Sequence, residues 1–400
     1  SEDVPVTDES STQSENSIFV DPNDKDHALN SNNSTTPSGS VYGANDLKTD
    51  DGGENWYGNL EGTGGENSGD PAAAIDLDGR MYNGFIHSSG GQGVAYSEDN
   101  GETWTSVQVA PAPGGFGSLL DKNHLWVDNS PTSPYEGNVY SAWTAFGGSN
   151  DEEIEIVHSE DGGLSWSQKK EISSEVNAGS HNQGVNISTG PDGEVYAVWA
   201  IYDSFPSDEN AMGFARSYDG GDTWETFRII EDIRGIRNSE TSKNMRVNAF
   251  PSMDVDISSG SNRGTIYVTW TNIGEPGVND GPDMDIYMIK STDDGDTWSD
   301  PIRVNQDEPG QGNEHYFPWI SCDPVTGGLS VIFYDDRNVS SSEVEVFVAT
   351  SNDAGESWED FKVSDVATTP SPIPGLASGY MGDYLGIDSY EGWTYPVWTD

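Results

Sequence analysis

Ser97-Glu98-Asp99-Asn100-Gly101-Glu102-Thr103-Trp104 decides how this chain folds. The pattern Ser-x-Asp-x-Gly-x-Ser/Thr-Trp returns as SEDGGLSW from Ser159, SYDGGDTW from Ser217, STDDGDTW from Ser291 and SNDAGESW from Ser351, with a looser copy, TDDGGENW, from Thr49. Recurrence through most of the chain means one supersecondary unit used many times. Each copy follows a short apolar or alternating run, such as residues 94–96, 154–157 or 286–289, and another strand-like run comes after it. The copy therefore reads as a turn between two strands. Its Asp accepts from backbone N–H groups two or three residues on. Its Gly supplies a positive φ, and its Trp starts the next strand and folds back as an apolar plug.

This turn resembles the Asp-box, or BNR repeat, of the sialidase-like β-propellers, and the copies cover residues 49–358. The resemblance implies an all-β propeller of four-stranded antiparallel blades, with each box turn between the third and fourth strands. A second repeat marks the head of each unit, at residues 15–21, 69–76, 121–128, 183–188, 249–256, 316–323 and 382–388. Each is polar at its start, then small and apolar. Heads number seven and boxes six, so seven blades are expected, with six as the alternative. A flexible acidic segment is expected over residues 1–13, with a short edge strand at 4–6 as an option. A single propeller domain is expected over 14–400, its last blade completed by the N-terminus or cut short.

Sixty-nine acidic against 17 basic side chains give a formal net charge of −52. Such a surface repels nucleic acid and anionic lipid and suits high salt, where counterions screen the repulsion. No stretch is long and apolar enough for membrane insertion. Cys322 has no partner for an internal disulfide and reads as a buried thiol. The sequence opens at Ser1 without a Met, which reads as an exported chain after processing or as a fragment; an extracellular location is expected, with protein partners at a cell surface. The Asn-x-Ser/Thr sites at Asn32, Asn33, Asn186 and Asn338 read as chance in an Asn- and Ser-rich chain. No cofactor is required. Acidic loops at 203–209 and 280–285 offer hard oxygen ligands suited to Ca²⁺, without fixed ligand spacing.

In a propeller the unit heads converge on one mouth of the central channel, where ligands bind. The heads carry Glu15, Asp70, Asp121, Lys122, His124, His181, Asn182, Gln183, Arg246, His315, Tyr316, Asp383 and Tyr384, and second-strand ends add Asp335, Asp336 and Arg337. The sialidase resemblance implies an arginine trio for a substrate carboxylate, a Tyr nucleophile with a Glu partner and an Asp acid. The chain departs from that pattern. It has no Arg-Ile-Pro element before its first box, and of its nine arginines only Arg246 and Arg337 lie near the relevant strand ends. The expected catalytic set is Tyr384, Asp383, Asp70 and Asp121. Expected substrate contacts are Arg337, Arg246, His181, His315, Tyr316 and Lys122. The function read from this is carbohydrate recognition, with glycoside hydrolysis at the mouth. Two alternatives stand beside it: a non-catalytic adhesive module, and a polysaccharide lyase using His181, His315, Tyr316 and Arg337.

Overall fold

Every copy of the repeated turn closes in the same way. Ser97 Oγ donates to Asp99 Oδ1 (2.8 Å) and accepts from Gly101 N–H (2.9 Å); the Asp99 carboxylate then takes the N–H (2.8 Å) and hydroxyl (2.6 Å) of Thr103. The copies from Ser159, Ser217, Ser291 and Ser351 repeat these bonds. At Thr49 an Asn55 amide replaces the second hydroxyl. The glycine is left-handed in each, from 69° at Gly101 to 95° at Gly221, a conformation that costs glycine least. Donors around the carboxylates hold Asp99 and Asp353 down at about 2.

The computed structural model describes residues 3–9, 11–36, 41–65, 67–177, 179–237, 241–275 and 277–400. Each turn joins the third strand of a sheet to its fourth, as Gln92–Ser97 to Thr105–Ala110. The strands make antiparallel meanders: five four-stranded sheets, and a first sheet in which a short strand, Val41–Ala44, is added to four others. These are six blades, not the seven expected. The seventh head begins only a two-stranded sheet, Gly386–Tyr390 with Trp393–Val397. The N-terminus does not complete it: residues 4–6 form no strand, and the first strand, Thr12–Asp21, belongs to the first blade. The two-stranded sheet lies between the sixth blade and the first. There Ser321 Oγ donates to Asp388 (3.1 Å), and Asp388 accepts Val20 N–H (2.6 Å).

Side chains do this stapling all round the axis. Innermost strands of neighbouring blades splay apart, so polar side chains take up the N–H groups that a ladder would use. Ser17 accepts Ala73 N–H, His124 Ile187 N–H, Asn186 Met253 N–H, Ser252 Ile320 N–H and Asp254 Cys322 N–H, at 2.7–3.2 Å. Accepting from a backbone N–H requires an unprotonated ring nitrogen, and burial pushes His124 down to about 3. Cys322 itself is buried, as expected.

At the opposite end of the strands, scarce cations tie each of the first five blades to the next turn. Arg80 reaches the carbonyl of Gly162 (2.6 Å), Arg216 that of Asp294 (2.9 Å) and Lys290 that of Ala354 (2.8 Å). Lys48 and Lys170 reach Asn100 and Asp222 in the same way. Between these layers the second strands are buried on both faces, as in Val195–Tyr202. Trp143, Trp199 and Trp270 fill that layer. Gly213 lies so close beneath Trp199 that a Cβ would stand 2.2 Å from the indole.

Candidate active site at the channel mouth

The antiparallel order puts the heads of the inner strands at the end away from the repeated turns. A β-bulge re-aims the chain there. Register slips by one residue between Ser14 and Ser17, Asp121 and His124, Gln183 and Asn186, and Tyr316 and Trp319. The extra residue is left-handed: Glu15 at 59°, Lys122 at 50°, Gly184 at 77° and Phe317 at 58°, with Asp70 at 57° in the matching place ahead of the second blade. Non-glycine residues rarely sit there, and these face the axis together.

The resulting group is continuous. Tyr380 Oη donates to Glu15 Oε1 (2.5 Å), which also accepts Asp383 N–H (3.1 Å). Asn33 donates to Glu15 Oε2 (2.6 Å) and accepts Asp70 N–H (2.9 Å). Asp70 accepts Lys122 N–H (3.0 Å), and Gln183 donates to Asp121 (3.4 Å). Arg246 Nη2 lies 2.7 and 2.6 Å from the two Asp383 oxygens, its guanidinium 4.5 Å from the Tyr380 ring centre. The Lys122 ammonium sits 4.0 Å over the Tyr384 ring.

Four carboxylates face two cations, so protons must be shared. Burial, then Asp70 and Asp383, pushes Asp121 up to about 8. Burial and Asp383 push Glu15 up to about 7 against the Tyr380 hydrogen bond. Burial and Glu15 hold Asp70 well above the carboxylate range. Near neutral pH Asp121 thus carries a proton it can give, and Glu15 is poised to take one. Burial and the same carboxylates keep the Tyr380 phenol protonated unless a base assists it.

Of the expected residues, Asp70, Asp121, Lys122, Arg246, Asp383 and Tyr384 come together here. Tyr384 is a wall: it is buried and its hydroxyl donates to Pro71 O (3.0 Å). Tyr380 and Asn33 were not foreseen. The former lies in the connection after the sixth blade, which has no periodicity, and the latter sits on a second strand.

His181, His315, Tyr316 and Arg337 are not in the mouth group. They sit just upstream of a bulge or at a second-strand end, where side chains face the neighbouring elements. His181 is buried beneath Phe205, ring centres 4.2 Å apart, and touches the mouth only through Gln183 (3.2 Å). Tyr316 packs on Phe317 and Tyr334. His315 and Arg337 belong to a separate ionic network between the fifth and sixth blades. His315 Nε2 lies 3.2 Å from Asp335 and 3.5 Å from Asp307; Arg337 bonds Asp335 and Asp360; Arg303 bonds Asp285 (2.9 Å) and Asp307 (2.6 Å). Burial opposes charge on His315, yet Asp335, Asp307 and Asp285 raise it to about 9.

Asp285, Asp307 and His315 bring ligand atoms within 4.8 Å of one another, a spacing that would admit a metal ion. The donor set does not suit one. Both His315 nitrogens are already engaged, by Met284 O (2.6 Å) and Asp335 (3.2 Å), and Arg303 bonds both carboxylates. The acidic loops spend carboxylates on the protein itself: Asp203 holds Arg228, Glu209 accepts the N–H groups of Ile236, Arg237 and Ala249, and Asp283 accepts those of Gly310 and Gly312.

The channel below the mouth is nearly filled. A cavity of about 20 Å³ between Ser17, His124, Asn186 and Asp254 is room for one water. No helix among the described residues is long and apolar enough to cross a membrane.

No family model matches the chain. A sialidase of Bacteroides fragilis (strain YCH46) is 23% identical over 186 residues, 42% of this chain; the match spans 32% of that relative, about a third of its length. Among solved structures, an ulvan lyase of a polysaccharide lyase family superposes with a TM-score of 0.56 at 9% identity, covering 94% of this chain and 88% of that one. An α-L-arabinanase of Penicillium chrysogenum, complexed with arabinobiose, gives 0.52 at 12%, covering 87% and 95%. A leech intramolecular trans-sialidase gives 0.50 at 11%, covering 89% and 68%. At such identities the structural likeness speaks for the fold. Six antiparallel blades around an axis, taken with these likenesses, give the chain the fold of the sialidase-like β-propellers.

Proposed function

We propose that this protein is a secreted or surface-held propeller that binds carbohydrate at the channel mouth and cleaves a glycosidic bond there. Its repeated turns are Asp-boxes that brace the scaffold. The observation that carries the reading is the pairing of Tyr380 with Glu15 at 2.5 Å, beside protonated Asp121 and the Arg246–Asp383 pair. Glu15 removes the phenolic proton as Tyr380 Oη attacks the anomeric carbon and Asp121 protonates the departing oxygen; water, deprotonated by Asp121, then displaces Tyr380 from that carbon while Glu15 returns the phenolic proton. Arg246 and Lys122 lower the local negative potential that would otherwise repel an acidic sugar. The candidate nucleophile thus moves from Tyr384 to Tyr380, while Asp70, Asp121 and Asp383 keep places in the site.

The test is hydrolysis of 4-methylumbelliferyl sialoside and α-L-arabinofuranoside by wild type, Y380F, E15Q and D121N. Turnover by wild type with loss of about 10²–10⁴-fold in each variant is expected. Full activity in Y380F and E15Q would remove the pair from the mechanism.

A second reading, a binding module without chemistry, is favoured by the filled channel. Wild type that binds glycans and cleaves none would select it. The lyase reading would take its base and cation from the mouth group, since His315 and Arg337 are both locked among carboxylates.

A further inference from the structure

One aromatic side chain near the mouth is built as though to receive something. Phe205, in the connection between the second and third strands of the fourth blade, is 45% exposed. Its inner face is stacked on His181 at 4.2 Å and 22°, and Tyr202 meets it edge-on at 5.6 Å and 83°. The ring is pinned from two sides, so a ligand stacking on its open face pays little further conformational entropy. Nothing in folding calls for that exposure, because the apolar surface it shows to water is a cost.

Its surroundings point to the kind of ligand. The Arg237 guanidinium lies 6.0 Å from the Phe205 ring centre. Among the described residues it has no carboxylate partner, in a chain where 69 acidic side chains face 17 basic ones. The other basic residues near the mouth, Lys122 and Arg246, are both committed to their neighbours. A guanidinium left open beside an aromatic face suits an anion carried on a ring. The position is also fixed relative to the mouth: Phe205 stacks on His181, His181 Nε2 meets Gln183 (3.2 Å), and Gln183 meets Asp121 (3.4 Å). A ligand ring on Phe205 is therefore the neighbour of one bound against Asp121.

We propose that the outward face of Phe205, with Arg237 beside it, is a subsite for a saccharide ring bearing a carboxylate or sulfate, adjoining the sugar held in the mouth. Here His181 acts as the backing of the platform, out of reach of the ligand. The proposal rests on the carbohydrate reading of the mouth.

The experiment titrates wild type, F205A, F205W, R237Q and R246A with a sulfated, glucuronate-containing tetrasaccharide and with neutral arabinotetraose, by calorimetry, after circular dichroism shows native fold. Expected are at least tenfold tighter binding of the charged probe by wild type, a tenfold or greater loss for both probes in F205A, a comparable loss for the charged probe alone in R237Q, and retention within threefold in F205W. Unchanged affinities in F205A and R237Q, with binding abolished in R246A, overturn the platform and leave the mouth reading standing. Loss in F205W as complete as in F205A overturns the stacking. Absence of binding of either probe to wild type at millimolar concentration overturns both.

Discussion

Two tyrosines four residues apart have opposite fates. Tyr384 is spent on a backbone carbonyl beneath a lysine, whereas Tyr380 shares a short hydrogen bond with a carboxyl group that can take its proton. Tyr384→Phe removes one neutral hydrogen bond, so a stability loss of about 1 kcal/mol and little change in turnover are expected; Tyr380→Phe removes a donor from buried Glu15, so it costs about 1–3 kcal/mol and lowers turnover as well. Thermal melts and initial rates on the two variants separate these outcomes. The sequence shows part of this. Asp70, Lys122 and Asp383 are legible because each follows the same head pattern in its repeat. Tyr380 is not, because nothing periodic surrounds it. His181 and His315 mislead, because a single bulged residue decides whether a side chain faces the axis or a neighbouring blade, and no residue type announces the bulge.

At the scale of elements, the repeated turn and the second strand carry the fold. The turn's place between two strands and its glycine were readable, while its carboxylate reaches one residue further than expected, to the N–H and hydroxyl four residues on. The turn's link to the preceding blade was not readable, because the cation that makes it lies far away in sequence. Lys290→Met should therefore weaken the fifth-to-sixth blade junction, which holds Ala354 O at 2.8 Å. A loss of about 1–2 kcal/mol is expected, measured by urea unfolding. Most of that loss should persist in high salt, because Glu356, the exposed partner of the lysine, contributes little. Gly213→Ala should cost more, about 1–3 kcal/mol, by driving a methyl group into the Trp199 indole. A midpoint unchanged from wild type would show that the indole can move aside.

For the whole molecule, charge decides how stability follows pH. Burial raises Asp254 and Asp388 in the channel to about 7, and three carboxylates raise His315 to about 9. All three groups bind their protons more tightly folded than unfolded, so their contribution is present at low pH. The carboxyl part is lost as pH rises through about 7 and the histidine part as it rises through about 9. The turn carboxylates work in the other direction: Asp99 and Asp353, held near 2, lose their contribution only as pH falls below the ordinary carboxylate range. Stability should therefore peak near pH 4 and decline from there to about pH 9. A melting temperature that rises steadily from pH 6 to 9.5 would contradict this. Blade number was the part of the architecture the sequence showed least well, since a strand head looks the same whether two strands or four follow it.

The stapling of inner strands by Ser, Asn, His and Asp side chains has a bearing on how such a molecule can vary. Most seams around the axis are closed by short polar groups meeting backbone amides, and the two-stranded sheet joins the circle through the Asp388 carboxylate, which takes Val20 N–H and the Ser321 hydroxyl. Circumference is thereby uncoupled from thickness. Outer strands can be gained, shortened or dropped from a sector without reopening the circle, and the mouth keeps its aperture while the periphery changes.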